Sequence, residues 1–520
     1  MRGVSEDLGS ASDAMRRIGL IVFSLMLAAV SARGAEVDAP TLTHGVASGD
    51  VTDSSAVIWA AVDGPAELRV RVQPIVGSEP AREVVGSSAE PPALTAIAKL
   101  EGLEPGTDYR YEVWFANAAG RSAIEAGKFM TAPAASVSRA VAFIWSGDLG
   151  GQRYCRRADR GYAIFAPMAE FAPNFFVANG DMIYADNDCP KEGPVPGWTN
   201  VPGGFPSLTD ASVNWSSSAA VDAVYAAHWR YNRADAAFQR FLRGTSMYVQ
   251  WDDHEVTNDF AARSPVDPAQ PSRAGFAQLV AAGRRWLFAF HPIARDRADP
   301  DRIYRSVRWG RELELFMLDA RSYRSANELE DSDANAKTIL GAEQRAWLES
   351  GLSRSTATWK IVSSDVPLSV PTGSSPEARG RDAFASGEGP GLAGSTGFER
   401  ELVGILKTLD RKRVRNVVFV ATDVHFAAQL RYAHDFDGDG QPLVFHELIA
   451  GPLSAFRAPA PPAFDPTLKP VVLYAEGDLF NFGTVRVDPS AAGGTVLRTD
   501  VRDETGAVRP GSELVLLPQR

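Results

Sequence analysis

Asn174-Phe175-Phe176-Val177-Ala178-Asn179-Gly180-Asp181 is an apolar run that stops abruptly at a glycine-aspartate turn. The run does not alternate between apolar and polar residues, so the strand it predicts must be covered on both faces. The same device recurs along the chain. Val141-Ala142-Phe143-Ile144-Trp145 leads into Ser146-Gly147-Asp148, and Tyr248-Val249-Gln250-Trp251 leads into Asp252-Asp253-His254-Glu255. Leu313–Leu318 runs into Asp319-Ala320-Arg321, and Val417–Ala421 runs into Thr422-Asp423-Val424-His425. Helical patterns such as Tyr162–Glu170 fall between the strands, which predicts a layered α/β domain whose sheets are flanked by helices. The carboxylates stand at the strand C-terminal ends, where open α/β sheets hold their ligands.

Upstream, Thr41–Ala132 reads as all-β, with short β-rich runs separated by Gly, Pro and Asp. Leu103-Glu104-Pro105-Gly106-Thr107-Asp108-Tyr109 resembles the corner of a fibronectin type III sandwich, where a tyrosine hydroxyl ties a turn to nearby backbone. The expected organisation is a β-sandwich over 41–132, a linker at Pro133–Ser136 and a catalytic domain over 139–520. Ser369–Gly397 is rich in Gly, Ser and Pro and reads as a mobile surface loop near the site. Residues 1–35 read as a signal peptide: Arg16-Arg17 precede an apolar run from Ile18 to Val30, and Val30-Ser31-Ala32 offers a cleavage site. An acidic preamble makes Met15 an alternative start, and the paired arginines suggest the twin-arginine route to the periplasm or the exterior. No later stretch is apolar enough to span a bilayer, so no integral membrane segment is expected after signal removal.

With 45% hydrophobic and 22% charged residues, the 520-residue composition is that of a globular protein. A net charge of -11 argues against a nucleic-acid partner, because phosphate-backbone binding needs a basic face. Cys155 and Cys189 are the two cysteines. Export favours a disulfide between them, worth roughly 3 kcal/mol; a thiolate metal ligand is the alternative.

A single Asp after a strand is usually a cap or turn residue. Here Asp148, Asp181, Asp253 and Asp423 all hold such positions, with His254 and His425 beside two of them. Gathering those carboxylates unneutralised would cost heavily in repulsion and desolvation, and multivalent cations resolve the conflict. A mixed oxygen and imidazole set suits one harder ion and one divalent ion.

Gly180-Asp181-Met182-Ile183-Tyr184, Trp251–Asp259, Leu318–Tyr323 and Thr422–His425 together resemble the alkaline phosphatase D family (PhoD-like) of binuclear metallophosphoesterases. The resemblance extends over residues 41–485 and includes Thr43–Asp50 in the N-terminal domain. It implies that Asp181 bridges two metals and that Tyr184 and His425 bind the first, with Tyr184 as a phenolate favouring Fe3+. Asp253 and Asp423 are implied to bind the second metal, where oxygen ligands suit Ca2+, Mn2+ or Mg2+. Where many members carry Ser-Cys-Gln, this chain has Ser146-Gly147-Asp148; Asp148 supplies hard oxygen for soft sulfur, or Cys155 replaces the missing thiolate.

His254 is expected to contact the phosphoryl oxygen or protonate the leaving group. Arg157 and Arg321 are candidates to fork onto phosphate, Arg321 equally a buried ion-pair partner. Asp435-Phe436-Asp437-Gly438-Asp439-Gly440 opens like a calcium loop, but His446 stands at its twelfth position, and a surface turn explains it as well. The activity implied is that of an exported alkaline phosphatase or phosphodiesterase, using a metal-bridged hydroxide on small-molecule phosphate mono- or diesters. The alternatives are a phospholipase D-like diesterase on phospholipid head groups and an inactive, metal-containing surface binding protein.

Overall fold

The computed structural model describes residues 38–77, 80–208, 210, 212–261, 276–373, 380–387, 394–491 and 494–519. The expected signal peptide lies outside the described residues. Eight strands come first: β1 (Leu42–Gly49), β2 (Ser55–Val62), β3 (Ala66–Pro74), β4 (Arg82–Ala89), β5 (Thr95–Glu101), β6 (Asp108–Asn117), β7 (Gly120–Arg121) and β8 (Glu125–Met130). Strands and helices then mix: β9 (Val141–Ser146), α1 (Phe165–Glu170), β10 (Phe175–Ala178), α2 (Ser218–Arg233), α3 (Ala236–Gly244), β11 (Ser246–Val249) and α4 (Phe276–Phe290). Next come β12 (Arg305–Trp309), β13 (Leu313–Met317), α5 (Gly341–Arg354), β14 (Trp359–Ser363), α6 (Glu399–Arg411) and β15 (Val417–Ala421). The last strands are β16 (Ala427–His434), β17 (Leu443–Ile449), β18 (Val471–Glu476), β19 (Asn481–Asp488), β20 (Val496–Asp503) and β21 (Leu514–Leu516).

Among the described residues the strands make three sheets. The order is β21-β20-β19-β9-β10-β11-β1-β2-β5 in the first and β12-β13-β14-β15-β17-β16-β18 in the second. The third runs β4-β3-β6-β7, with β8 also paired to β6. The non-alternating strands are explained by what lies on each side. Phe143, Trp145, Phe175 and Val177 share an apolar cluster with Leu315, Ile361, Val418 and Val420 of the second sheet. Ile144 and Phe176, one residue out of phase, pack instead with Phe165, Trp229, Phe238, Phe241 and Trp286 of α1–α4. Val362, Val417 and Phe419 likewise face Leu348, Leu402, Ile405 and Leu406 of α5 and α6. Two sheets therefore lie face to face with helices outside both, as the apolar runs require.

In the N-terminal region β1, β2 and β5 face β3, β6 and β8 across a core that includes Val46, Ile58, Leu68, Val70, Tyr111 and Val113. The tyrosine corner is present: the Glu104 amide donates to the Tyr109 hydroxyl at 2.9 Å. What the sequence does not signal is that β1 pairs in parallel with β11, Gly49 opposite Met247. One half of the sandwich is thereby continuous with the catalytic sheet. The seam is pinned by Asp50, whose Oδ1 accepts from Arg305 at 3.0 and 2.6 Å while its Oδ2 accepts from the Ala294 amide at 2.7 Å. Arg305 also donates to the Val249 carbonyl at the end of β11.

Asp50→Asn keeps the size of the side chain but leaves the shielded Arg305 guanidinium without its charge partner. The substitution is expected to lower unfolding stability by about 3 kcal/mol, read by denaturant titration. A change under a few tenths of a kcal/mol would mean that the seam does not depend on this pair.

Candidate metal centre

The strand-end turns bring the predicted side chains together. Gly180 lies at φ +109°, and a Cβ there would stand 2.4 Å from that of Asp252, so only glycine lets the β10 and β11 turns approach so closely. Asp148, Asp181, Asp423 and His425 all adopt positive φ, at 60°, 52°, 74° and 60°. Left-handed backbone costs a non-glycine residue roughly 1–2 kcal/mol, and such strain concentrates at sites where the surrounding fold over-determines the geometry. Glu255 provides that determination. Its buried carboxylate accepts from the amides of Asp181, Met182 and Asp252 at 3.0, 2.7 and 2.8 Å, tying two turns into one unit.

Two donor sets result. In the first, the Tyr184 hydroxyl lies 3.0 Å from His425 Nε2 and 3.5 Å from Asp148 Oδ1, and His425 Nε2 lies 3.4 Å from the same Asp148 oxygen. His425 Nδ1 lies 2.6 Å from the Phe456 carbonyl. A carbonyl only accepts, so Nδ1 carries the proton and Nε2 presents a lone pair to the set. In the second, atoms of Asp181, Asp253 and His254 lie within 4.8 Å of one another, as do those of Asp252, Asp253 and Asp423. The two sets border a cleft of about 600 Å³ whose lining includes Asp181, Asp253, His254, Asn258, Asp259, Asp423 and His425.

The residues fit a pair of cations. Asp148 Oδ2, Asp253 Oδ1 and Asp423 Oδ2 are buried with no hydrogen-bond donor, an arrangement that is costly unless something positive meets them. Gly451 leaves room beside Asp148, since a Cβ there would come within 2.4 Å of Oδ2. Without a cation, burial and then the neighbouring carboxylates hold Asp181 and Asp423 well above the usual range. Burial and then the same carboxylates push the Tyr184 phenol well up.

His254 is set apart by Asp186. Burial would lower its pKa, but Asp186 and Asp253 outweigh burial and raise it to about 10. Its Nδ1 lies 2.7 Å from Asp186 Oδ1, and Asp186 Oδ2 accepts from the Asn258 amide at 2.9 Å. Asp186 is buried too, yet His254 and these hydrogen bonds keep its carboxyl below the usual range. Nδ1 therefore donates to Asp186, leaving Nε2 as the atom free to act.

Of the two readings of Arg321 the structure has the buried ion-pair partner: fully buried behind the turns, it pairs with Asp252, with Asp382 at 2.8 Å, with Asp365 at 3.5 Å and with Asp253 at 3.9 Å, and two other expectations are corrected. One guanidinium answers four carboxylates from three segments of the chain, which leaves none of it for a substrate. Arg157 does not line the cleft; it binds Asp159 at 2.9 Å and lies over Trp198. The described part of Ser369–Gly397 does lie near the site, Thr372 and Gly373 lining the cleft, but it is not all surface: Ser369, Asp382, Phe384 and Ser386 are buried, and Asp382 holds Arg321 and Arg324. Cys155 and Cys189 form a disulfide, so Cys155 offers no thiolate. Sequence reading gave no role to Asp186 or Asp365, although Asp186 stands only two residues after Tyr184.

A family model described as PhoD-like phosphatase matches residues 143–487, and one described as PhoD-like phosphatase, N-terminal domain, matches residues 28–133. Alkaline phosphatase D of Bacillus subtilis (strain 168) is 25% identical over 423 residues, covering 76% of this chain and 66% of that protein, just short of two thirds of its length. A solved structure of PhoD superposes with a TM-score of 0.68 at 18% identity, covering 94% of each chain. A purple acid phosphatase from yellow lupin (Lupinus luteus) seeds superposes at 0.56 and 13% identity, covering 92% of this chain and 74% of that one. At those identities the structural likeness is one of fold.

The charge balance makes a pH prediction for chelated protein. Burial, relieved only in part by Arg321, puts Asp252 at about 7, and burial puts Glu255 at about 8. Carboxyls whose folded pKa exceeds the unfolded value stabilise the fold when protonated and lose that contribution as pH rises through the folded pKa. The melting temperature of chelated protein should therefore fall from about pH 4 to about pH 8 and level off above that, more steeply than that of metal-loaded protein. Parallel pH profiles would show that the cluster does not depend on bound cations.

Proposed function

The chain belongs to the PhoD-like phosphatase family, and on that premise we propose that it is an exported, metal-dependent phosphatase or phosphodiesterase acting on small phosphate esters. The observation that carries this reading is the meeting of the Asp148–Tyr184–His425 set and the Asp181–Asp253–Asp423 set at one cleft beside His254. Asp181 stands at the centre of the assignment as the shared ligand. Asp148, Tyr184 and His425 would hold the first ion, Fe3+, in a hard oxygen and imidazole environment; Asp253 and Asp423 would hold the second, Ca2+ or alternatively Mn2+ or Mg2+. Such ions supply Lewis acidity toward a phosphoryl oxygen and acidify water.

The protein's own groups do the rest. Glu255 fixes the Asp181 and Asp252 turns through backbone amides, so that the ligands are in place before substrate arrives. The Phe456 carbonyl fixes the His425 tautomer. His254, protonated and oriented through Nδ1 by Asp186, donates from Nε2 to the oxygen of the departing alcohol. In this reading residues 41–132 form the sandwich domain and 139–520 the catalytic domain. Export to the periplasm or beyond, by the general or the twin-arginine route, agrees with the disulfide, which persists in oxidising compartments. No helix among the described residues is long and apolar enough to cross a membrane.

Hydrolysis of a chromogenic monoester and diester should be lost on exhaustive chelation and recovered with added metal; full activity in metal-free protein would sink the proposal. His254→Asn should lower kcat by roughly 10²–10⁴ with little change in KM. Natively isolated protein should show a visible charge-transfer band that Tyr184→Phe removes, and an iron-free, colourless, fully active protein would take Tyr184 out of the ligand set.

A further inference from the structure

Phe456 is 50% exposed, and among the described residues it is the one aromatic side chain in the group of large apolar residues left open to solvent. It stands on the cleft wall. Its backbone is held from both sides: its amide donates to Gln152 Oε1 at 3.1 Å, and its carbonyl accepts from His425 Nδ1 at 2.6 Å. The ring is thus displayed on a fixed support attached to a proposed metal ligand. Beside it in the lining are Val424 and Ala458. Val424 belongs to an apolar cluster with Val370, Phe426 and Ile449, against which Ala458 packs, so this wall is backed by core.

The cleft is unevenly divided. Asp181, Asp253, Asp259 and Asp423 supply its carboxylates, and Val424, Phe456 and Ala458, which flank His425 or are held to it, supply its apolar part. No lysine or arginine is among the described lining residues. A volume of about 600 Å³ is that of a site for a drug-sized ligand, well beyond a phosphoryl group alone. A second anionic group on the substrate would meet the lining carboxylates, with no basic side chain among the described lining residues to receive it. A flat uncharged group finds an exposed aromatic ring whose backbone is anchored to His425.

Resting on the phosphatase reading above, we propose that Phe456 sets substrate preference by stacking against an uncharged aromatic group of the phosphate ester. The substrates selected are aryl or other flat ring-bearing phosphates in preference to polyanionic ones or esters of small alcohols.

The test uses phosphonates, whose carbon-phosphorus bond removes leaving-group chemistry from the comparison. Metal-loaded protein is titrated calorimetrically with phenylphosphonate and with methylphosphonate, and hydrolysis of a nitrophenyl ester is measured on the same preparation. The ratio of the two affinities is the readout, so that any general weakening of the site cancels. Phenylphosphonate is expected to bind about tenfold more tightly to the native protein. The preference should disappear in Phe456→Ala and persist in Phe456→Tyr, which keeps the ring. A protein that hydrolyses the ester but binds both phosphonates equally, or whose preference survives Phe456→Ala, overturns the assignment of Phe456 alone. A protein that neither hydrolyses the ester nor binds either phosphonate overturns the phosphatase reading, and this proposal with it.

Discussion

Buried negative charge is the constraint on which the rest of the structure depends. Asp148, Asp181, Asp252, Asp253, Asp365 and Asp423 are all brought to adjoining strand ends, and all but Asp423 are fully buried. Left alone they would repel one another in a medium that screens poorly. The fold answers from behind with Arg321, which meets Asp252, Asp365 and Asp382, and leaves the cleft side to be answered by cations. Arginine suits the rear position because its planar guanidinium stays charged and serves several carboxylates at once. The division of labour also separates stability from chemistry: the fixed cation is protein, and the exchangeable ones face the cleft.

Precision at the cleft comes from connections that run across elements. Glu255 binds the backbone of both turns that carry Asp181 and Asp252. Asn179 Nδ2 donates to the Ser364 carbonyl at 2.6 Å, joining the two facing sheets at the same level. The β1–β11 pairing lends the sandwich's stiffness to the strand that precedes Asp253 and His254. The sandwich is thus part of the frame that holds the residues of the cleft.

Much of this was legible from local pattern. Strands with both faces buried announce themselves as unbroken apolar runs, and the carboxylates after them could be counted, so Asp148, Asp181, Tyr184, Asp253, His254, Asp423 and His425 were all named and all converge. Arg321 was not resolved, because a phosphate fork and a buried ion pair use the same residue at the same place; only the positions of Asp252, Asp365 and Asp382 distinguish them. Asp365 was missed because β14 contains Lys360 and ends in Ser363, with Ser364 following, which dilutes the apolar signal. Ser369–Gly397 misled for the opposite reason. Its composition is that of a loop, whereas the burial of Asp382 follows from an ion pair with residues some sixty positions away. Pairing between β1 and β11 leaves no trace in either strand.

The nine-stranded sheet also orders events in time. Its interior strand β9, which ends at Ser146 just before Asp148, is flanked on one side by β10 and on the other by β19, with Phe143 opposite Val485. Ser146 Oγ donates to the Asn481 carbonyl, and the Asn481 amide in turn grips the Gly451 carbonyl beside Asp148. Until β19 has been made, β9 is an edge with an open row of peptide groups, and the pocket around the first donor set has no outer wall. Contacts so distant in the chain carry a large loop-closure cost and form late. Synthesis must therefore run past β19 before that donor set is enclosed, and chains that stop short of β19 expose an apolar strand edge suited to aggregation.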